Sequence, residues 1–302
     1  MRIMLMVCVL LVLGFTGCAW AGCSPEIAGL NLSPEKWVGH DFIFLDLPAD
    51  KQSEGYDIYT EEQAIRGFQG DRSVRIPYAG YAGKQVTVTD VVTYAAGYNQ
   101  HEYIVYLKVN ATGKKLVGRT MRGQLEGLVL EGDLTNARQQ FVGKTIYVKR
   151  RMLQGEYNPR INETPVAVAT RIGMAAQVID VYRGIQSREP IWLVVLVNCQ
   201  RAIIPIAYSY TNQEVNAWLQ TPPWQEELFM EDPRAKIGWS EGIWDLIEAG
   251  IVQEGMTKDQ VRLSWGAPQE ENTDGSGKTI WRYGTKVLGF TGTILTSVGL
   301  LK

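Results

Sequence analysis

Runs of β-branched and aromatic residues, most of them in period-2 alternation, recur along the first two thirds of the chain, separated by glycine-rich turns. Such alternation sends successive side chains to opposite faces and predicts half-buried strands. The clearest runs are Asp41-Phe42-Ile43-Phe44-Leu45, residues 86–92 and residues 103–110. Three more follow: Thr145-Ile146-Tyr147-Val148-Lys149, residues 177–182 and residues 191–198. The six runs fall into two copies of one plan. Each copy opens with a helix-capping residue, Ser33 or Thr135, then a turn or two of helix. An aromatic-Val-Gly step then leads into the first strand, at Trp37-Val38-Gly39 and Phe141-Val142-Gly143. Matching positions lie 104 residues apart at Gly39 and Gly143, 90 at Asp90 and Asp180, and 88 at Asn110 and Asn198. The shrinking offset assigns about 14 extra residues to the first copy, in the polar stretch 46–76, which reads as a long surface loop. With about five short strands each, the copies predict two small SH3-like β-barrels over 30–130 and 133–212. Residues 213–237 read as a connector. In it a short helix with Val215, Trp218 and Leu219 is broken by Thr221-Pro222-Pro223-Trp224.

The pattern changes in 238–302. Ser240 is placed to cap a helix with Ile243, Trp244 and Ile247 on one face. A second helix start is more fully specified. Thr257 with Gln260 three residues later forms a capping box, and Met256 with Val261 a hydrophobic staple. Gly266 supplies the left-handed helix stop, and Pro268 prevents continuation. Three strands follow at 279–283, 286–290 and 293–298, after a turn at 272–277. The expected fold is therefore mainly β with a C-terminal α+β module.

Gly255, Met256, Thr257, Val261, Gly266 and Pro268, then Trp281 and Tyr283, with Phe290 in a later strand, resemble the SmpA/OmlA (BamE-like) family of outer-membrane lipoproteins. The resemblance covers 238–302. It implies two helices on a three-stranded sheet, an ααβββ module. It also implies an envelope lipoprotein that works by contact with other proteins, including the outer-membrane assembly machinery, and without catalysis. The shared residues are largely capping chemistry, so they specify a fold more closely than a function.

The N-terminus agrees with such an address. Arg2 precedes an apolar run from Ile3 to Phe15, the length of a secretory signal and too short to span a bilayer. Phe15-Thr16-Gly17-Cys18 resembles a bacterial lipobox, giving a leader of residues 1–17 and a lipid on Cys18. Trp20-Ala21-Gly22-Cys23 repeats the pattern and makes Cys23 the alternative, with a leader ending at 22. Cleavage after Ala21 without a lipid is the third reading. A lipid anchor would hold the protein at the bacterial envelope, facing the periplasm. Cys199 is the one cysteine far from this segment, either paired with Cys23 or a buried thiol at a strand end.

Composition narrows the chemistry. A net charge of −2 lacks the basic excess of nucleic-acid binders. Two histidines, His40 and His101, cannot build a multi-histidine metal site, and no metal or cofactor is expected. No HExxH, GxSxG or phosphate-loop pattern occurs. Lys149-Arg150-Arg151 reads as a solvated strand end, or as a contact for anionic headgroups. Tyr78 and Tyr81, just after the inserted loop, are candidates for exposed aromatics that hold a peptide or a glycan. Two non-enzymatic readings follow, a protein-binding envelope lipoprotein and a peptidoglycan- or glycan-binding protein. An enzyme with an unrecognised site is a third.

Overall fold

The computed structural model describes residues 29–97, 100–161, 163–213, 221–275 and 277–300. The leader, Cys18, Cys23 and the helix expected at Val215, Trp218 and Leu219 lie outside these residues. The protein is mainly β, with two curled antiparallel sheets and a smaller α+β unit. No helix among the described residues is long and apolar enough to cross a membrane.

The first sheet contains β1 (Asp41–Phe44), β2 (Ile58–Thr60), β3 (Gln85–Gly97), β4 (Gln100–Val109), β5 (Lys115–Thr120) and β6 (Leu128–Leu130). Its order is β2-β5-β4-β3-β1-β6. Between its strands lie three short helices, α1 (Ala49–Gln52), α2 (Ala64–Phe68) and α3 (Tyr78–Tyr81). The longer helix α4 (Glu131–Phe141) leads to the second sheet. That sheet contains β7 (Thr145–Val148), β8 (Met152–Gly155), β9 (Ala167–Ala169), β10 (Ala175–Gln186), β11 (Glu189–Val197), β12 (Gln200–Ile206) and β13 (Leu228–Phe229). Its order, read from the far edge, is β9-β8-β12-β11-β10-β7-β13. Setting β9 aside, this is the order of the first sheet.

The likeness extends to single hydrogen bonds. Gly39 N donates to Val88 O and Gly143 N to Val178 O, both at 2.8 Å. Each sheet also carries a bulge before its aspartate, at Val88/Asp90 and Val178/Asp180. In both bulges the aspartate Oδ1 accepts from the next backbone N–H, which supports the irregular geometry.

Several expectations are corrected. The stretch 46–76 is not a plain surface loop. It supplies edge strand β2, and Leu47, Tyr56, Ile58 and Tyr59 are buried. With Tyr59, its helix α2 covers the outer face of β4 and β5, where Ile104, Tyr106 and Val117 would otherwise meet water. Thr135 is not a cap, because α4 begins four residues earlier and carries Glu131 and Asp133 in its first turn, favourable to the helix dipole. Tyr78 and Tyr81 are not an exposed aromatic platform, since both rings are buried in the first core. Cys199 is exposed rather than buried, in the β11–β12 turn at φ +59°.

Leu45 and Val129, from the first half of the chain, pack into the second core with Leu134, Phe141 and Leu193. A buried polar latch closes the same junction. Asn212 Nδ2 donates to Leu125 O (2.8 Å) and Leu128 O (2.9 Å). Asp133 Oδ1 accepts from Leu30 N at 3.0 Å, and its other oxygen from the Ser209 hydroxyl. Burial pushes the Asp133 carboxyl up from its ordinary value, against those two hydrogen bonds. The folded state therefore holds this proton more tightly than the unfolded state does. Its stabilising effect is full below the unfolded carboxylate value and is lost as pH rises through the raised one. Asp133→Asn keeps an acceptor for Leu30 and removes the titration. Urea midpoints should fall with rising pH more steeply in the parent than in the variant. Parallel pH profiles would refute this.

The C-terminal unit follows α5 (Trp224–Glu227) and α6 (Pro233–Ile237). Helices α7 (Glu241–Ala249) and α8 (Lys258–Trp265) pack on four strands, β14 (Glu270–Thr273), β15 (Lys278–Tyr283), β16 (Lys286–Thr291) and β17 (Ile294–Leu300). One strand more is present than the resemblance implies. Residues 270–273, of which 272 and 273 were expected in a turn, pair antiparallel with β15. The capping box is complete. Gln260 N donates to Thr257 Oγ1 (3.2 Å), and Thr257 N donates to Gln260 Oε1 (2.8 Å). Thr257→Ala should cost about 1 kcal/mol, read as a shift in the denaturant midpoint. Ser240 occupies the N-cap position of α7, but its side chain accepts no capping hydrogen bond. Gly266 stops α8 at φ +84° and ψ −167°. That is positive φ with extended ψ, outside the left-handed helical region and open essentially to glycine alone.

Lys149-Arg150-Arg151 is not a free, solvated strand end, because each side chain has protein partners. Arg151 donates to the carbonyls of Glu248 (2.9 Å), Ile247 and Ser264 (3.0 Å), the C-terminal ends of α7 and α8. These carbonyls lie in the last turns of the helices, at the negative end of the helix dipole, and Ile247 O also accepts from Gly250 N at 3.1 Å. Arg150 pairs with Glu227, and Lys149 Nζ donates to Gln225 O at 2.9 Å. The basic triplet thus fastens the C-terminal helices and the 224–227 turn to the second sheet.

Candidate functional site

Where the two sheets meet, a cleft of about 600 Å³ opens between α4, β10 and the segment after β8. Its walls include Ile43, Leu134, Arg138, Tyr157, Arg183 and Trp192. Asp46 is its electrostatic centre. The end of β1 sends Leu45 into the second core and leaves Asp46 facing the second sheet. The Asp46 side chain is only 9% exposed. Its Oδ1 accepts from Arg160 Nε (2.6 Å) and the Tyr78 hydroxyl (3.3 Å), and its Oδ2 meets Arg183 Nη2 at 2.9 Å. The hydrogen bond to Asp46 pushes the Arg160 guanidinium above its ordinary value. Burial, with Asp46 nearby, raises the Tyr78 phenol. Tyr56 lies behind this cluster, its hydroxyl donating to Leu45 O at 2.5 Å, and burial raises it strongly.

Each arginine is held by local structure. Arg160 lies in a 3₁₀ turn, Pro159–Ile161, where its N–H donates to Asn158 Oδ1 at 3.0 Å. Gln52 Nε2 donates to Pro159 O at 3.0 Å, tying that turn to the first sheet. Arg183 projects from β10 opposite Ile191. Gly83, at φ +77°, leaves the space both guanidiniums need. A Cβ there would lie 2.8 Å from Arg160 Nη2 and 2.9 Å from Arg183 Nη2. Arg138, on the exposed side of α4, donates Nε to Val181 O at 3.2 Å.

The aromatic wall comes from the outer face of the second sheet. Tyr182 pairs across strands with Trp192, and Tyr157 packs on Trp192 with ring centroids 5.2 Å apart. Trp192 fits because β10 has Gly184 below it. A Cβ at Gly184 would meet Trp192 Nε1 at 3.0 Å and Glu189 O at 2.7 Å. Burial raises the Tyr157 phenol.

Tyr78 is the one proposed site residue that reaches this centre, and it does so through its hydroxyl alone. Tyr81 packs edge-to-face with Phe44 in the first core. The family-motif residues Met256, Gln260, Val261, Trp281 and Phe290 are buried in the C-terminal unit, away from the cleft. Tyr283 packs there on Trp265, and its hydroxyl donates to Gly266 O at 2.8 Å. The sequence reading missed Asp46, Arg138, Arg160, Arg183, Tyr157 and Trp192. One signal for the cleft was available. Residues 191–197 form a continuous apolar run, the mark of a strand covered on both faces. Such a strand requires a covering segment, here the one bearing Tyr157.

Among the described residues, no group of three or more His, Cys, Asp or Glu is placed to hold a metal ion. Compared with protein families, with curated proteins and with solved structures, the chain matches none.

Proposed function

We propose that this chain is a lipid-anchored protein of the bacterial envelope, placed at the outer membrane facing the periplasm, that binds other proteins by contact and without catalysis. The observation that carries the reading is the cleft between the sheets, where guanidiniums and aromatic rings converge on one concave surface. Arginine and aromatic residues are the side chains enriched at protein-recognition sites. The anchor is Cys18, or Cys23, as the lipobox spacing suggests. On this reading the two sheets are related SH3-like modules, an assignment supported by their shared strand order. The C-terminal unit is a BamE-like module, supported by its complete capping box and its Trp281–Phe290 core, and it makes a role in outer-membrane protein assembly the first to test.

Pull-down from detergent-solubilised envelope tests the binding role. A partner recovered with the parent and lost with Tyr157→Ala supports it, and equal recovery with both refutes the cleft as the site. Mass spectrometry of the mature N-terminus tests the anchor. Diacylglycerol on Cys18 or Cys23 supports it, and an unmodified Gly22 terminus refutes it. A second reading, binding of peptidoglycan or another glycan, is favoured by the aromatic wall of Tyr157, Tyr182 and Trp192. Recovery of sacculus fragments in place of protein would select it.

A further inference from the structure

The hydrogen-bonding capacity of the cleft is unevenly committed. Asp46 is engaged at both oxygens by Arg160 and Arg183. Glu156 is held at both oxygens by Arg201. Glu163, on the exposed segment after β8, accepts from Asn158 N at 2.8 Å with one oxygen. The guanidiniums are far less used. Among the described residues, neither Nη of Arg138 has a partner, nor does Nη1 of Arg160. Arg183 Nε is buried and makes no hydrogen bond. A buried donor without an acceptor is costly, and the donors open to a ligand are the Nη groups of Arg138 and Nη1 of Arg160. Beside these donors lie the half-buried side chains of Ile43 and Tyr157 and the exposed ring of Tyr182.

We infer that the cleft takes the terminal carboxylate of a peptide whose last side chain is apolar. The inference rests on the cleft being the binding site and adds the ligand's chemistry. The carboxylate would lie against Arg138 and the free edge of Arg160, whose donors suit the planar, two-oxygen geometry of a carboxylate. The last side chain would lie on Ile43 and the accessible sides of Tyr157 and Tyr182. A neutral sugar fits less well. Its hydroxyls need acceptors as well as donors, and the cleft's carboxylates are largely occupied. Trp192 is also only 5% exposed, too little to offer a full ring face for stacking.

The test uses the full chain in detergent and calorimetric titration. The probes are N-acetyl-Ala-Ala-X peptides, with X as Leu, Ile, Val, Phe or Met, each as the free acid and as the C-terminal amide. At least one free acid should bind, and its amide should bind at least about tenfold more weakly. Arg138→Gln should weaken the free acid by a similar factor while lowering the melting temperature by no more than the loss of its one hydrogen bond, to Val181 O, accounts for, because Arg138 lies on the exposed side of its helix. Failure of every free acid to bind at about 1 mM would overturn the inference. Equal binding of acid and amide would also overturn it, as would binding of chitotetraose with all peptides inert. If the pull-down still yields a partner that depends on Tyr157 while the peptides stay inert, the ligand class fails and the protein-binding reading stands.

Discussion

Replacing Asp46 with alanine should destabilise the protein by about 3 kcal/mol, at the lower end of what removing one member of a buried ion pair costs. The carboxylate is nearly enclosed, while Arg160 and Arg183 keep partial access to water, with side chains 46% and 29% exposed. That access softens the penalty of leaving them unpaired. Two effects remain. The Tyr78 hydroxyl loses the acceptor it now has at 3.3 Å. The two guanidiniums, both packed against Gly83, then face each other with no anion between them. Asp46→Asn retains an acceptor for Arg160 but not the charge, so it should fall between parent and alanine. Urea denaturation followed by tryptophan fluorescence reads the difference. A loss below about 1 kcal/mol in the alanine variant would show the triad to be a surface pair of ordinary weight. The same variant should abolish peptide binding if the triad organises the cleft.

The strands of both sheets were legible because a half-buried strand writes its burial into alternate residues. The offset between copies was legible for the same reason. The pairs Asp41↔Thr87 and Thr145↔Gln177, separated by the predicted 104 and 90 residues, occupy the same register in their sheets. Residues 46–76 were misread because their buried residues are few and scattered. Tyr56, Ile58 and Tyr59 are embedded in polar sequence, and Tyr59 packs at right angles to Phe68 with ring centroids 5.6 Å apart, a contact with no short-range period. Strand β14 was missed for the opposite reason. All four of its residues are exposed, so its pairing with β15 leaves no hydrophobic trace.

The cleft was invisible for a topological reason. Asp46 and Arg160 are 114 residues apart and meet only because the first sheet packs beside the second. Taken alone, each is an ordinary charged residue at the end of a strand or in a turn. The basic triplet at 149–151 shows the same limit. Its sequence reads as solvated charge, yet Arg151 binds the ends of α7 and α8, which begin at Glu241 and Lys258. Local chemistry such as the Thr257 capping box survives translation from sequence to structure because both partners lie within one turn. Charges that join separate elements do not.

Trp281→Ala should be the most damaging single change in the C-terminal unit, at about 3–5 kcal/mol. Trp281 is fully buried, and its ring lies 4.6 Å from that of Phe290, with Arg262 over its face at 4.6 Å. Met256, Val261 and Leu288 complete the same core. Truncation to alanine would leave a cavity bounded by helices fixed at both ends, by the Thr257 capping box and by Arg151, which limits collapse. Limited proteolysis should then cut between α7 and α8 under conditions where the two large sheets stay intact. Trp281→Phe separates packing from polarity. The indole N–H of Trp281 is buried without an acceptor, which costs about 1–3 kcal/mol in the parent. Phenylalanine gives up part of the ring volume but also removes that orphan donor. The two effects oppose, so Trp281→Phe should lose less than about 1.5 kcal/mol. If phenylalanine proved as damaging as alanine, the indole N–H would have to be satisfied in solution, by water or by a rearranged carbonyl. If alanine proved as mild as phenylalanine, this core would not hold the unit together.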